Sequence, residues 1–139
     1  MTQKDKEILI KDLCSRLPYG IIVEHVSGIR GTLHDLFVTW FYGKNDEIFK
    51  YEANTMFFGD VTCDIIKFKP YLFPISSMTK EQKEEFDQLF ELELKAINDE
   101  IDHIHATAFE VDFYNKHHFD WRGLIPLDLA LDATGLNIY

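Results

Sequence analysis

Apolar and polar positions follow one rhythm at the start of the chain, another in the middle and the first again later. Over Lys4 to Leu17 the apolar residues Ile10, Leu13, Cys14 and Leu17 recur at three- and four-residue spacing, which predicts a helix with one buried face. Pro18 ends it, because a proline disfavours helical geometry in the residue before it. Beyond Gly20 the run Ile21 to Val26 is apolar and β-branched and reads as a strand, followed by a turn at Ser27, Gly28 and Gly31. Thr32 to Tyr42 is rich in residues that suit a pleated surface. Gly43 to Asp46 supplies turn-forming residues, and Glu47 to Tyr51 returns as the second arm of a hairpin. Cys63 to Phe68 predicts one more strand, after which Pro70 and Pro74 are expected to stop the sheet.

The period then changes. Thr79 to Gln82 (TKEQ) matches a capping box, in which a hydroxyl and a side-chain amide satisfy each other's backbone donors at a helix start. After it Phe86, Phe90, Leu94, Ile97, Ile101, Ile104 and Ala108 form one apolar stripe, the mark of a long amphipathic helix, with a potential break at Asn98. Residues 109–114 fit strand alternation or helical spacing, and helix is preferred because it extends the stripe. The chain turns at Asp120 to Gly123, and the apolar segment from Leu124 packs back on the rest. A run of strands followed by a run of helices is an α+β pattern. The expected architecture is an N-terminal helix, a small antiparallel sheet of three to four strands, a long amphipathic helix and a short C-terminal helical tail, in a single domain over residues 1–139.

Composition narrows the chemistry. With 139 residues, 46% of them hydrophobic and 14% aromatic, the chain has material for a proper core. The net charge is −10, and eleven acidic residues against three lysines between Lys80 and Asp112 account for −8 of it. No basic stripe exists to displace counterions from phosphates, so direct nucleic-acid binding is not expected. An acidic face can instead attract a basic protein partner or imitate nucleic acid towards a protein that binds it. Cys14 and Cys63 form no zinc or CxxC spacing and are expected to be buried thiols in a reducing, cytoplasmic setting. No signal segment and no membrane span is read from the sequence, and no cofactor is expected.

Four of the six histidines fall between residues 103 and 118. On a helix His103 and His105 point about 200° apart and cannot share an ion. Glu100 and His103 form a single Glu-x-x-His pair, half of what a di-iron bundle requires. His117, His118 and Asp120 are the best metal or acid–base candidates, since imidazoles and a carboxylate in a tight turn can converge. The competing expectation is structural: one ring in the core, the other at a helix C-terminus, Asp120 paired with Arg122, the Trp121 N–H on a carbonyl, and Gly123 left-handed. Nucleophile elbows and phosphate-binding glycine loops are missing from the sequence.

The stretches KDLCSRLPYG (residues 11–20), KPYLFPISSMT (69–79) and NKHHFDWRGLI (115–125) together resemble a group of small proteins of gut Bacteroidetes and their phages or mobile elements, a group without an established activity. Two departures stand out. Trp121 follows Asp120 where the group often has a tyrosine, and Pro126 to Ala133 replaces a run that usually carries a glycine before its leucine-alanine. The resemblance implies a mobile-element setting and carries over no catalytic residue.

Three readings follow. The first is a non-enzymatic binding or accessory protein using Glu91 and Glu93 on the long helix and the turn around His117, His118, Asp120, Trp121 and Arg122. The second is a metal-dependent hydrolase built on His117, His118 and Asp120. The third is an acidic nucleic-acid mimic.

Overall fold

A computed structural model describes residues 1–42, 47–55, 63–98 and 103–139. The chain is α+β. Helix α1 (Gln3–Arg16) starts at a capping box in which Thr2 and Asp5 exchange backbone-to-side-chain bonds of 2.7 and 3.2 Å. A 3-10 turn over Leu17–Tyr19 closes at Gly20, whose φ of 68° is a left-handed conformation that suits glycine.

One face of α1 is buried, but it is rotated from the expected one. Leu9, Asp12, Leu13 and Arg16 are buried, while Cys14 is exposed, which corrects the expectation of a buried thiol. The cause is an ion pair at i,i+4 spacing, Asp12 with Arg16, that sits on the core side of the helix. The Cys63 side chain lies outside the described residues.

Strands β1 (Ile22–His25), β2 (Arg30–Tyr42), β3 (Glu47–Thr55) and β5 (Phe68–Leu72) are the four longer strands of the sheet, each antiparallel to its neighbour among them. Two-residue strands extend it at either edge: β4 (Cys63–Asp64) beside β3, and β6 (Leu131–Asp132) beside β5 and parallel to it. The order is β4-β3-β2-β1-β5-β6. The hairpin turn expected at residues 43–46 and the loop around Gly59 and Asp60 lie outside the described residues.

Cys63 to Phe68 is not one strand: a 3-10 turn over Ile65–Lys67 separates β4 from β5. Pro70 does not end the sheet either. It lies in β5 opposite Val23, and β6 pairs only with Tyr71 and Leu72, so no neighbour asks for the missing N–H.

The second capping box forms as expected, with Thr79 N–H on Gln82 Oε1 at 2.9 Å and Gln82 N–H on Thr79 Oγ1 at 3.2 Å. It opens α2 (Lys80–Asn98), and α3 (His103–Lys116) follows, so residues 109–114 are helical. Phe86 near the start of α2 stacks on Tyr114 and meets Phe113 edge-on near the end of α3. A continuous helix would hold positions 86 and 113 about 40 Å apart. The stripe is therefore shared by two antiparallel helices, each needing an apolar face for the other. The side chains of Leu94, Ile97, Ile101 and Ile104 lie outside the described residues.

The core gathers Leu9 and Leu13 of α1, Ile21 and Val23, Leu33, Phe68 and Leu72, closed by Leu124 and Leu129 from the C-terminal segment. Each such side chain contributes about 1.5–3 kcal/mol by leaving water. Beyond α3 the chain runs as turns with one short strand, held by Ala133 N–H on Leu72 O at 2.8 Å.

Candidate functional site

The stretch from Asn115 to Ile125 is a corner that joins α3, α1 and the end of β5. It begins as a helix stop. The Phe119 N–H bonds Tyr114 O at 2.8 Å and the His118 N–H bonds Asn115 O at 3.2 Å, the paired bonds of a Schellman motif with His118 in the left-handed position. His118 has φ 57°, where glycine is the usual occupant. The hydrophobic contact that accompanies this motif is present as well, Phe119 stacking on Phe113. The next residues dock on β5: Phe73 N–H bonds His118 O at 2.9 Å, and Asp120 N–H bonds Phe73 O at 2.8 Å.

Arg16 reaches this corner from α1. Its guanidinium holds Asp12 through two bonds, of 2.7 and 3.0 Å, and donates to Phe119 O at 2.7 Å and Tyr114 O at 3.5 Å. Both side chains are fully buried. Burial pushes the Asp12 carboxyl up, while the bond and charge of Arg16 pull it down. Arg122 completes the cluster with its Nε 3.5 Å from Asp12 Oδ1, the oxygen that Arg16 Nη2 also holds.

The candidate residues thus come close in space, but each faces a different neighbour. His117 sets Nε2 3.0 Å from Glu85 Oε2 on α2 and Nδ1 3.5 Å from Gln82 Nε2. Lys116 bonds the other oxygen of Glu85 at 2.9 Å, and this bond holds that carboxyl below its usual range. His118 is buried and stacked 3.8 Å from the Tyr139 ring, and burial brings its imidazole down to about 4. The Tyr139 hydroxyl accepts from Ile22 N–H at 3.2 Å and donates to Tyr71 O at 2.7 Å, and its own burial raises its pKa.

The pair of Asp120 with Arg122 expected from the sequence does not form. The two Asp120 oxygens accept the N–H groups of Leu124 and Ile125 at 2.7 and 2.8 Å, because the turn leaves those donors with no carbonyl to face. Arg122 instead lies 3.9 Å over the Trp121 ring and turns to Asp12. The Trp121 N–H goes to the Asn115 side-chain oxygen at 3.0 Å, not to a backbone carbonyl. Gly123 is left-handed, φ 72°, as expected.

On α2, Glu91 is exposed and lines a shallow depression with Gln88, Leu92 and Lys95. The side chains of Glu93, His34, His103 and His105, and all of Glu100, lie outside the described residues. Among the described residues no group of three His, Cys, Asp or Glu side chains is placed to hold a metal ion. No described helix is long and apolar enough to cross a membrane.

Sequence reasoning missed Asp12, Arg16 and Asn115, the buried polar residues that organise the corner. The only signal for the first two was their i,i+4 spacing, which is equally common on solvated helix faces. Compared with known proteins, the chain matches no family model, no curated protein and no solved structure.

Proposed function

We propose that the protein is a non-enzymatic binding or accessory protein of the cytoplasm that engages a basic protein partner through α2, in a phage or mobile-element setting. One observation carries this reading. α2 presents Gln88, the exposed Glu91, Leu92 (62% exposed) and Lys95 on one face, at i, i+3, i+4 and i+7, which sets an exposed apolar side chain next to a carboxylate. A lysine or arginine of a partner brings an apolar stem and a cationic head, which suits that arrangement. The helix carries six acidic residues against three lysines, so longer-range attraction has the same sign.

The hydrolase alternative draws less support, because His117 and Asp120 are occupied by Glu85 and by backbone amides. Support for an acidic mimic is also reduced, since Lys80 and Lys116 pair with Glu84 and Glu85.

A photo-crosslinking residue at position 92, introduced in producing cells, tests the leading reading. The expected result is a covalent adduct with a basic protein that is lost in the Glu91→Lys, Glu93→Lys double variant. The absence of any adduct would overturn it. Elemental analysis of untagged protein decides the alternative: about one equivalent of zinc, iron or manganese, absent from His118→Ala, would turn the search to hydrolase substrates.

A further inference from the structure

The β2–β3 pair outruns the rest of the sheet. β1 lies beside β2 only at Arg30, Gly31 and Thr32, with one more bond from Leu33 N–H to Ile21 O. β4 lies beside β3 only at Glu52 and Ala53. From Val38↔Tyr51 to Tyr42↔Glu47 the ladder therefore has two strands alone among the described residues. Among the described residues β2 leaves its outer edge unpaired from Leu36 to Tyr42, about 24 Å of backbone at the usual rise per residue.

Such an edge is a template for another strand, because alternate N–H and C=O groups along it have no ladder partner. Natural edges are usually blunted by a charge, a proline or a bulge. Leu36 to Tyr42 (LFVTWFY) has no charge and no proline, and the one irregularity in the ladder, between Leu33 and Asp35, comes before it. A two-stranded ribbon is also marginal in water without a further strand or a packed face.

We propose that this edge pairs with the same edge of a second copy of the chain, antiparallel about a two-fold axis at Thr39. Three arguments select a second copy. Identical edges paired about a two-fold close the contact on itself, because each β2 edge is taken up by the other. The register centred on Thr39 sets Thr39 against Thr39, Val38 against Trp40 and Phe37 against Phe41, all of them pair types that stabilise antiparallel sheets. Copies with a net charge of −10 repel one another, and this segment is where no like charges meet. The pairing ends at Leu36 against Tyr42, short of the Arg30 to Thr32 stretch that β1 occupies. The result is a continuous β3-β2-β2-β3 sheet across the axis. This inference is independent of the partner proposed for α2.

Sedimentation equilibrium of the wild-type chain, Thr39→Lys and Thr39→Glu, and an equal mixture of the two variants, tests it. Because Thr39 faces its own copy, either variant places two like charges on the axis, whereas the mixture places opposite ones there. The expected outcome is twice the 16.3 kDa chain mass for wild type, loss of dimer in each variant and its recovery in the mixture. Circular dichroism confirms that both variants are folded. A monomeric wild type at about 100 µM, a dimer indifferent to Thr39→Lys, or a mixture that stays monomeric would each overturn the proposal. A Thr39→Cys chain lacking Cys14 and Cys63 gives a second check: oxidation links it to itself, whereas Phe37→Cys in the same background does not link.

Discussion

The corner at residues 115–125 and the ribbon at residues 36–42 and 47–51 handle backbone polarity in opposite ways. In the corner every turn is tied to something: Arg16 takes the carbonyls of Tyr114 and Phe119, Asp120 takes the amides of Leu124 and Ile125, and Phe73 exchanges two bonds with its neighbours. In the ribbon one full edge of β2 has no partner among the described residues. The corner has the composition of an active site and the wiring of a joint, whereas Leu36 to Tyr42 of the ribbon holds no histidine, carboxylate, cysteine or lysine and has an edge without a ladder partner among the described residues. A concentration of histidine, aspartate, tryptophan and arginine is therefore a poor guide to function until the partners of each group are known.

The sharpest way to break this contrast is Arg16→Ala. It leaves the Asp12 carboxylate buried without the guanidinium that holds both its oxygens and removes the tie from α1 to the Phe119 carbonyl, a loss of about 3–5 kcal/mol for a buried pair broken on one side. Urea denaturation should show a large fall in midpoint or no folded protein, while Thr39→Lys on the ribbon stays within about 0.5 kcal/mol of wild type under monomeric conditions. Equal, small effects of both would mean that the corner is not the joint described.

Acid gives a second, somewhat smaller effect. Folded protein keeps the His118 imidazole neutral down to about 4, whereas the unfolded chain protonates it near 6.5. Between those values the unfolded state binds more protons, so the stability present above about pH 6.5 declines as pH falls and is fully lost by about pH 4. The total is about 3 kcal/mol. In His118→Asn, which keeps a residue tolerant of the left-handed conformation, the slope of stability against pH over that window should flatten. An unchanged slope would place the acid sensitivity elsewhere.

The smallest effect belongs to the corner's rim. Glu85→Gln removes the charge that Lys116 and His117 face, on a side chain 39% exposed, and should cost about 0.5 kcal/mol. The Glu85 carboxyl is held low, so its contribution is present above the unfolded carboxylate pKa and disappears as pH falls through the folded value. A large loss in Glu85→Gln would show that the α2 contact is as integral as Arg16.

What the sequence made legible was local. The Thr79–Gln82 capping box, the stop at Leu17-Pro18 and the left-handed Gly123 depend on neighbours a few residues away, and all three were readable. The buried face of α1 was misread by one position, because an Asp-Arg pair four apart looks the same in water and in a core. The parallel β6 depends on where the C-terminal segment docks, which no short-range period encodes, and the mates of Asp120 and Trp121, four to six residues away, are set by an irregular turn that has no period to read. The break expected at Asn98 is where α2 ends, but the reversal that follows was not legible, because two helices facing each other repeat the same apolar stripe.

Arg16 has one further consequence, for the order in which the molecule assembles. Its firmest bond outside α1 is to Phe119, 103 residues later. A ribosome releases α1 long before that carbonyl exists, at roughly 5–20 residues per second. Until then, sealing the Asp12–Arg16 pair away from water would strand unused donors of the guanidinium, so the nascent helix keeps that face hydrated. Docking of α1 and arrival of the corner are then a single late event, and a stalled or truncated chain that stops short of Phe119 should expose α1 to proteases along its whole length.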